Sequence, residues 1–499
     1  MEGMSDNKSM SDNKGMSDNN NKKLRILIMS APIGSGHRMA ANALEEALLR
    51  LDNVEVVQGN VFTFFPSWLG RAFLSFYGKV LAFCPSLYAL TYRWSNGGDG
   101  SLWLRNLING LLLRSGRTFV EETKPDLVFS THATPTGIFS LYKQKYKPDL
   151  WLGVVVTDFT VHRWLVCPGV DAYFTADEKL FGQIRAAAAL FPEKHQRTEG
   201  KDGSSRTLSG GKARQNQTEA GKPSEQNQTE AGKPSEQDQT EAGKASEGLP
   251  ELFAYGIPVR SAFSVQRELM SVRQEARNAF GWPGDAFVCL LAGGGGGMLP
   301  MEEIVDSLCS KKYETIHVVA VSGHNDALRK KLNSMQKYFL RKQTGKADDD
   351  VAATDAGAPR GSSQPKDKKG VEAVSDAKGK SRLAVLGFTD AMPQLMQAAD
   401  VVITKAGGVS LAECLACGAN LLIYHPLPGQ EQGNTEFLQK EYGVAAVEDI
   451  RQLDKYLEKE MSVPLAERLQ RQGQRRRSFG HPEAAERIAE RTEKLRRPE

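Results

Sequence analysis

Residues 400–413 read Asp400-Val401-Val402-Ile403-Thr404-Lys405-Ala406-Gly407-Gly408-Val409-Ser410-Leu411-Ala412-Glu413, and a second cluster follows at Pro428-Gly429-Gln430-Glu431-Gln432-Gly433-Asn434. An apolar strand ending at Thr404 runs into two glycines and then a helix. That order turns several backbone N–H groups and the positive end of a helix dipole toward one spot, which suits a phosphate. Glu413 lies one helical turn further in. Gln430, Glu431 and Asn434 follow the next strand, Asn420 to Tyr424. A diphosphate, a ribose and a sugar each find a partner here, as a nucleotide-sugar site requires. Plainer readings stand beside this one. Ser410-x-x-Glu413 is also a capping box, with Ser410 as N-cap and Glu413 as third helical residue. Alone, the Gln/Glu/Asn cluster would be ordinary solvent-facing residues.

Working outward, the chain alternates strand and helix. Leu24 to Met29 is an apolar run ending in a Gly-containing loop, Met39 to Arg50 has helical periodicity, and Val54 to Val57 is a strand again. Further strands are predicted at Leu127 to Ser130, Trp151 to Thr157 and Tyr173 to Thr175. The pattern then restarts at Phe287 to Ala292, with a glycine run from Gly293 to Gly297, a helix from Glu302, and strands at His317 to Val321, Leu383 to Leu386, Val401 to Thr404 and Leu421 to Tyr424. Two successive βα arrays predict an α/β protein of two doubly wound, Rossmann-like domains facing a central cleft. The expected boundaries are 23–196 for the first domain, 249–465 for the second and 466–499 for a C-terminal helical segment. Residues 1–22, the eleven-residue repeat within 197–248, and 343–381 are polar and poor in apolar groups, so they are expected to be disordered and are given no catalytic role.

At 499 residues each domain is large enough for its own core. A net charge of +4 is too small for this length to argue for nucleic acid. Six cysteines without regular spacing fit a reducing compartment. Cys414 and Cys417 form a C-x-x-C inside a helix, where buried small side chains are the better reading than redox chemistry. No apolar run approaches the ~20 residues of a spanning helix, and the polar N-terminus lacks a signal peptide's apolar core. A cytoplasmic protein is expected.

Other loops offer side-chain chemistry. Gly34-Ser35-Gly36-His37-Arg38 fails as a dinucleotide fingerprint, because Met39 holds the third glycine position and the second strand carries Gln58 where an acid is needed. It does place an imidazole at a helix start, either as a base titrating near neutrality or as a solvent-facing loop residue. Asp158, followed by His162 and Trp164, is a base, an orienter of a histidine, or the cap of a turn. His132 stands at another strand end. Gly294 and Gly295 allow close backbone approach to a ligand, or form only a flexible loop. The stretch from Phe62 to Tyr92 interleaves aromatics (Phe64, Phe65, Trp68, Phe73, Phe76) with Arg71 and other bases. It reads either as an element lying at lipid headgroup depth or as a core helix pair.

Five motifs in order resemble the monogalactosyldiacylglycerol synthase and processive diacylglycerol glucosyltransferase family of glycosyltransferase family 28. They are Gly36-His37-Arg38, Thr157-Asp158-Phe159, Gly387-Phe388-Thr389-Asp390-Ala391-Met392, Lys405 to Glu413, and Gly429-Gln430-Glu431 with Asn434. The first loop has fewer glycines than many relatives, and the run from Gly293 is longer than usual. The resemblance implies a GT-B fold with the acceptor in the first domain and a UDP-sugar in the second. It implies uracil near Phe388, Thr389 and Met392, diphosphate at Gly407, Gly408, Val409 and Ser410, ribose on Glu413, and sugar hydroxyls on Gln430 and Glu431. His37 is then the base that activates the acceptor. The expected reaction moves glucose or galactose from UDP-glucose or UDP-galactose to diacylglycerol with inversion, without a metal or other cofactor. The enzyme is expected at the inner face of the cell membrane, on an anionic surface. The rival readings are a relative of the peptidoglycan N-acetylglucosaminyltransferase acting on another lipid-linked acceptor, a UDP-sugar 2-epimerase, and a non-catalytic UDP-sugar sensor.

Overall fold

The computed structural model describes residues 23–32, 34–64, 84–97, 99–191, 249–264, 268–280, 282–310, 312–344 and 381–496, with isolated positions between 70 and 80. The stretches read as disordered therefore lie almost wholly outside the described residues, as do Phe65, Trp68, Arg71, Phe73 and Phe76.

The first domain runs β1 (Leu24–Ser30), α1 (Gly36–Leu48), β2 (Val54–Asn60), α2 (Pro85–Gly97), α3 (Leu102–Thr123), β3 (Leu127–Ser130), α4 (Ala133–Tyr146), β4 (Trp151–Val155), β5 (Ala172–Phe174), α5 (Phe181–Ala188) and β6 (Glu251–Phe253). The second runs α6 (Leu269–Phe280), β7 (Phe287–Ala292), α7 (Met301–Leu308), β8 (Ile316–Val321), α8 (Asp326–Thr344), β9 (Leu383–Leu386), α9 (Met392–Ala398), β10 (Val401–Thr404), α10 (Gly408–Ala416), β11 (Leu421–Tyr424), α11 (Gln430–Tyr442), β12 (Ala445–Val447) and α12 (Ile450–Ser462). The helices α13 (Leu465–Phe479) and α14 (Ala484–Arg496) close the chain.

Each domain is built on a six-stranded sheet, in the orders β2-β1-β3-β4-β5-β6 and β12-β11-β10-β7-β8-β9, and every pairing is parallel. Strands such as Phe287–Ala292 are buried at every position, as expected where helices cover both faces. The two-domain doubly wound expectation holds. The strand order of each sheet reverses direction once, between β1 and β3 in the first and between β7 and β10 in the second. Ligands of open α/β sheets bind outside the carboxyl ends of the strands at such a reversal. The loops there are those carrying His37 and His132 in the first domain, and Gly293–Gly297 and Lys405–Gly407 in the second.

Two boundaries differ from expectation. Residues 251–253 pair with β5, Thr175 N–H donating to Phe253 O at 2.8 Å, so the repeat segment interrupts the first domain and does not separate the two. The apolar pair Leu252-Phe253 was too short a signal to mark a strand. The C-terminal segment is also divided. Arg468 on α13 joins Arg273 and Arg277 around the buried carboxylate of Asp400, which also accepts from Val288 N–H at 2.9 Å. Breaking such a buried group by removing one partner is costly, because the remaining charge is stranded. Then α14 crosses back, burying Ala485, Ile488 and Ala489 against α1 of the first domain. The chain thus links the domains twice.

Phe64 was expected at the acceptor or membrane face. It is instead 4% exposed, its ring 5.7 Å from that of Phe119, with Gly116 pressed against it. Its apolar surface serves the core under α3.

Candidate active site

The first domain contributes side chains. His37 is the second residue of α1, and its Nδ1 lies 2.9 Å from Thr157 Oγ1 at the end of the β4 run. When Nδ1–H donates to Thr157, the lone pair stands on Nε2, which is the tautomer a base acting through Nε2 requires. The ring edge of His132 approaches to a centroid distance of 4.8 Å. His132 caps α4, its Nδ1 accepting from Thr134 N–H at 3.2 Å, which places its own proton on Nε2. Burial holds His132 well below the usual imidazole range, and His37 and His162 add to that. His37 is lowered by burial, with the Asp158 charge and the Thr131 backbone acting the other way. A neutral imidazole at ordinary pH is the protonation state a general base needs.

Asp158 does not hydrogen-bond to His37. Its Oδ2 accepts from Gln430 Nε2 at 2.6 Å and its Oδ1 from Asn434 Nδ2 at 2.9 Å, both on α11 of the second domain. Asp158 is therefore not the hydrogen-bonding orienter of the histidine, one of the options the sequence left open; Thr157 takes that place, and Asp158 acts on the imidazole through its charge. His162 caps the turn leading to Trp164, with Nδ1 accepting from Trp164 N–H at 3.1 Å, and burial lowers it to about 4.

The second domain contributes backbone. Gly407 is the N-cap of α10, so Ser410 is the third helical residue and the capping-box reading of Ser410 and Glu413 fails. The two glycines let the chain enter the helix earlier than a Ser cap would have required. Gly408 is pressed against the first domain: a Cβ there would stand 2.1 Å from Thr157 O and 2.7 Å from Asp158 Oδ1. Val409 packs toward Gly36, whose Cβ position is 3.5 Å from its Cγ2. Across the cleft Gly295 N–H donates to Ser35 Oγ at 3.3 Å, and Gly294 lies beside the Lys405 stem. Gly429 opens α11 at a φ of 105°, a conformation that favours glycine. Its open face abuts the rings of Tyr88 and Tyr92 on α2. The starts of α1, α10 and α11 therefore converge on one cleft.

Glu413 is the free acid of this wall. Burial pushes its carboxyl up to about 7, opposed by the charge of Arg260, and no described residue donates a hydrogen bond to it. Glu431 is engaged: Oε1 pairs with Lys405 Nζ at 2.6 Å and Oε2 accepts from Leu427 N–H at 3.2 Å. Asn434 is fully buried within the protein's own bonds. At the rim, Phe388 is 51% exposed and stacks on His324 at 4.4 Å. Thr389 Oγ1 accepts from Ala391 N–H at 3.2 Å, and Met392 begins α9. Arg260 reaches Asp390 at 3.5 Å from the segment joining the domains. Lys405 stood inside a quoted motif without a role, and Arg260 and His324 were missed, because a lone base in a loop carries no sequence periodicity. Cys414 and Cys417 are buried free thiols, raised by burial. Among the described residues no group of three or more His, Cys, Asp and Glu could hold a metal ion.

Comparison with known proteins agrees with this division. The profile for monogalactosyldiacylglycerol (MGDG) synthase matches residues 37–189, and that for the glycosyltransferase family 28 C-terminal domain matches residues 288–488. The processive diacylglycerol beta-glucosyltransferase of Bacillus subtilis is 22% identical over 423 residues, spanning 84% of this chain and 82% of that protein. The Bacillus cereus protein of the same name (strain ATCC 14579) is 22% identical over 439 residues, spanning 86% and 83%. Among solved structures, Acinetobacter baumannii MurG aligns over 94% of this chain and 99% of its own with a TM-score of 0.47 and 11% identity. With both halves matched in the same order, the chain belongs to the monogalactosyldiacylglycerol synthase and processive diacylglycerol glucosyltransferase family, within glycosyltransferase family 28.

Proposed function

We propose that this protein transfers a hexose from a UDP-sugar to diacylglycerol with inversion at the anomeric carbon, making a membrane glycolipid. The acceptor hydroxyl oxygen bonds to the sugar's anomeric carbon as the bond from that carbon to the diphosphate oxygen breaks. The hydroxyl proton passes to Nε2 of His37, and UDP leaves. The observation that carries the reading is the meeting of the Thr157-held imidazole with the starts of α10 and α11 at the paired sheet reversals. Fixed amides and helix dipoles aimed where the leaving diphosphate gathers charge are an effective form of transition-state stabilisation.

In this reading the amides from Gly407 to Ser410 and the Lys405 ammonium take the diphosphate. Glu413 accepts from the ribose hydroxyls. The strand-end loop from Phe388 to Met392 receives the uracil, and Gln430 reads the sugar, with Glu431 holding Lys405 in place.

The membrane face is assigned to α2 and α3. Leu87, Leu90 and Trp94 form an exposed stripe on α2, opposite the face that carries Tyr88 and Tyr92. Trp103, Leu107 and Leu111 form another on α3. No helix among the described residues is long and apolar enough to cross a membrane. Apolar stripes with exposed Arg93 and Arg114 nearby fit an element lying in the plane of an anionic leaflet.

The test is mass spectrometry of lipids after incubating the full chain with diacylglycerol in mixed micelles and either UDP-glucose or UDP-galactose. Hexosyl-diacylglycerol is expected from one donor, and the number of sugars added reads processivity. UDP binding without a product from either donor overturns the proposed acceptor.

A further inference from the structure

We propose that Asn434 is a positioning residue of the transfer reaction. It locks the Asp158-Phe159 turn of the first domain, and with it the carboxylate beside His37, to the domain that carries the donor. The inference rests on the reading that His37 takes the acceptor proton.

An amide side chain has two N–H donors and one carbonyl acceptor. The Oδ1 of Asn434 accepts from Phe159 N–H at 2.8 Å, while Nδ2 donates to Asp158 Oδ1 at 2.9 Å and to Ala406 O at 2.9 Å. Both donors are committed and the residue is 0% exposed, so nothing remains to meet a sugar. One side chain thereby ties the loop opening α10 to the turn after β4. The turn is pinned from the same helix elsewhere: Gly433 closes on Thr160, and the Phe159 ring lies 5.9 Å from Phe437.

What this fixes is the position of a charge. On accepting a proton His37 becomes a cation in a buried site, and Asp158 is the acid whose field favours that form. The other titratable group facing the imidazole from the first domain is the neutral His132, beside the Thr157 hydroxyl and the Thr131 backbone; Tyr92 on α2 faces Asp158, and α10 presents the apolar Val409. Gln430, which faces the cleft and also donates to Asp158, is the exchangeable partner that turns to the sugar. Asn434 is the permanent one. A donor domain docked through Asn434 therefore brings the carboxylate into register with the base, so that proton transfer is assisted only when the two domains are joined.

The experiment compares wild type, Asn434→Ala and Asn434→Asp, the last keeping the acceptor for Phe159 N–H while facing Asp158 with a second carboxylate. UDP affinity by calorimetry and hydrogen exchange of the peptide containing Phe159 need no acceptor turnover. Expected is a UDP Kd within about 3-fold of wild type for both variants, and about tenfold faster exchange around Phe159 in Asn434→Ala. In the lipid assay kcat falls by about 10²-fold with donor KM little changed, as for a small misplacement near the chemistry. Combining Asn434→Ala with Asp158→Asn adds no further loss, because the two act as one unit. A rise in donor KM with kcat retained, unchanged exchange at Phe159, or additive losses in the double variant overturns the proposal. A wild-type protein that makes no glycolipid refutes the proposed function instead, and the binding and exchange measurements still decide the role of Asn434.

Discussion

The two walls of the cleft are built from different materials. The first domain presents titratable side chains: His37 against Thr157, with His132 and Asp158 around them. The second presents backbone, in the helix starts at Gly408 and Gln430 and the run from Gly293. A leaving diphosphate needs fixed dipoles that never change protonation, whereas an attacking hydroxyl needs a group that does. The comparison predicts that one wall is sensitive to loss of a functional group and the other to gain of a methyl group.

The sharpest break would come at His37. His37→Ala removes the imidazole bonded to Thr157, and kcat should fall by about 10³-fold, within the span measured for general bases. UDP affinity should stay at the wild-type value. A loss of UDP binding on the same scale would move His37 to the donor wall and erase the distinction between the two.

The complementary break is Gly408→Ala, which deletes nothing. Its Cβ would enter the space of Thr157 O, so the domains cannot meet as they do. We expect kcat/KM to fall by about 10²-fold through misplacement of the two walls. Gly182→Ala in α5, where a Cβ meets nothing within 4 Å, serves as the control and should leave activity unchanged. Normal turnover in Gly408→Ala would mean that the contact between α10 and Thr157 is dispensable.

The same contrast explains what could be read before the structure was known. Backbone sites announce themselves in sequence: Gly407-Gly408 follows an apolar strand and Gly429-Gln430 follows Pro428, and each pair stands at the start of a helix, the first of them earlier than a Ser410 cap would set it. His37 was legible because its loop follows β1. Pairings between distant segments were not. Nothing near Asp158 in the chain says that Gln430 and Asn434 will close on its carboxylate, and nothing near Thr157 says that its hydroxyl will meet the imidazole. The sixth strand of the first sheet, β6, was lost to its length and to the insert before it. Phe64 was misassigned because exposure depends on Gly116 and Phe119, more than fifty residues away. The domain-level fold follows from local periodicity, whereas the site depends on contacts across the chain.

On the second wall Lys405 and Glu431 are paired with each other, whereas Glu413 is a titratable group that no described residue hydrogen-bonds, and it sharpens the comparison with a smaller effect. Glu413→Ala should weaken UDP binding by about 1–3 kcal/mol, the value of charge-assisted hydrogen bonds to ribose. Unchanged affinity in a calorimetric titration would return the residue to a purely structural place in α10.

The smallest effect tests the protonation state of the same carboxyl. Burial raises Glu413 from 4.5 to about 7, so near neutrality the free protein holds it partly protonated. Ribose hydroxyls donate, and therefore bind the carboxylate form better than the acid. Binding then expels a proton, and affinity must rise with pH through about 7 and level off above it. With the bound form fully ionised, the gain between pH 6 and pH 8 is about tenfold. Uridine is the better probe, since it lacks the phosphate that itself titrates in this range. The sign for stability is opposite: the folded state holds the proton more tightly than the unfolded chain, so this group's contribution declines as pH climbs from 4.5 to about 7. Glu413→Gln should flatten both profiles together. A uridine affinity that falls with rising pH, or a slope that survives in Glu413→Gln, would place the titrating group elsewhere and take Glu413 out of ribose binding.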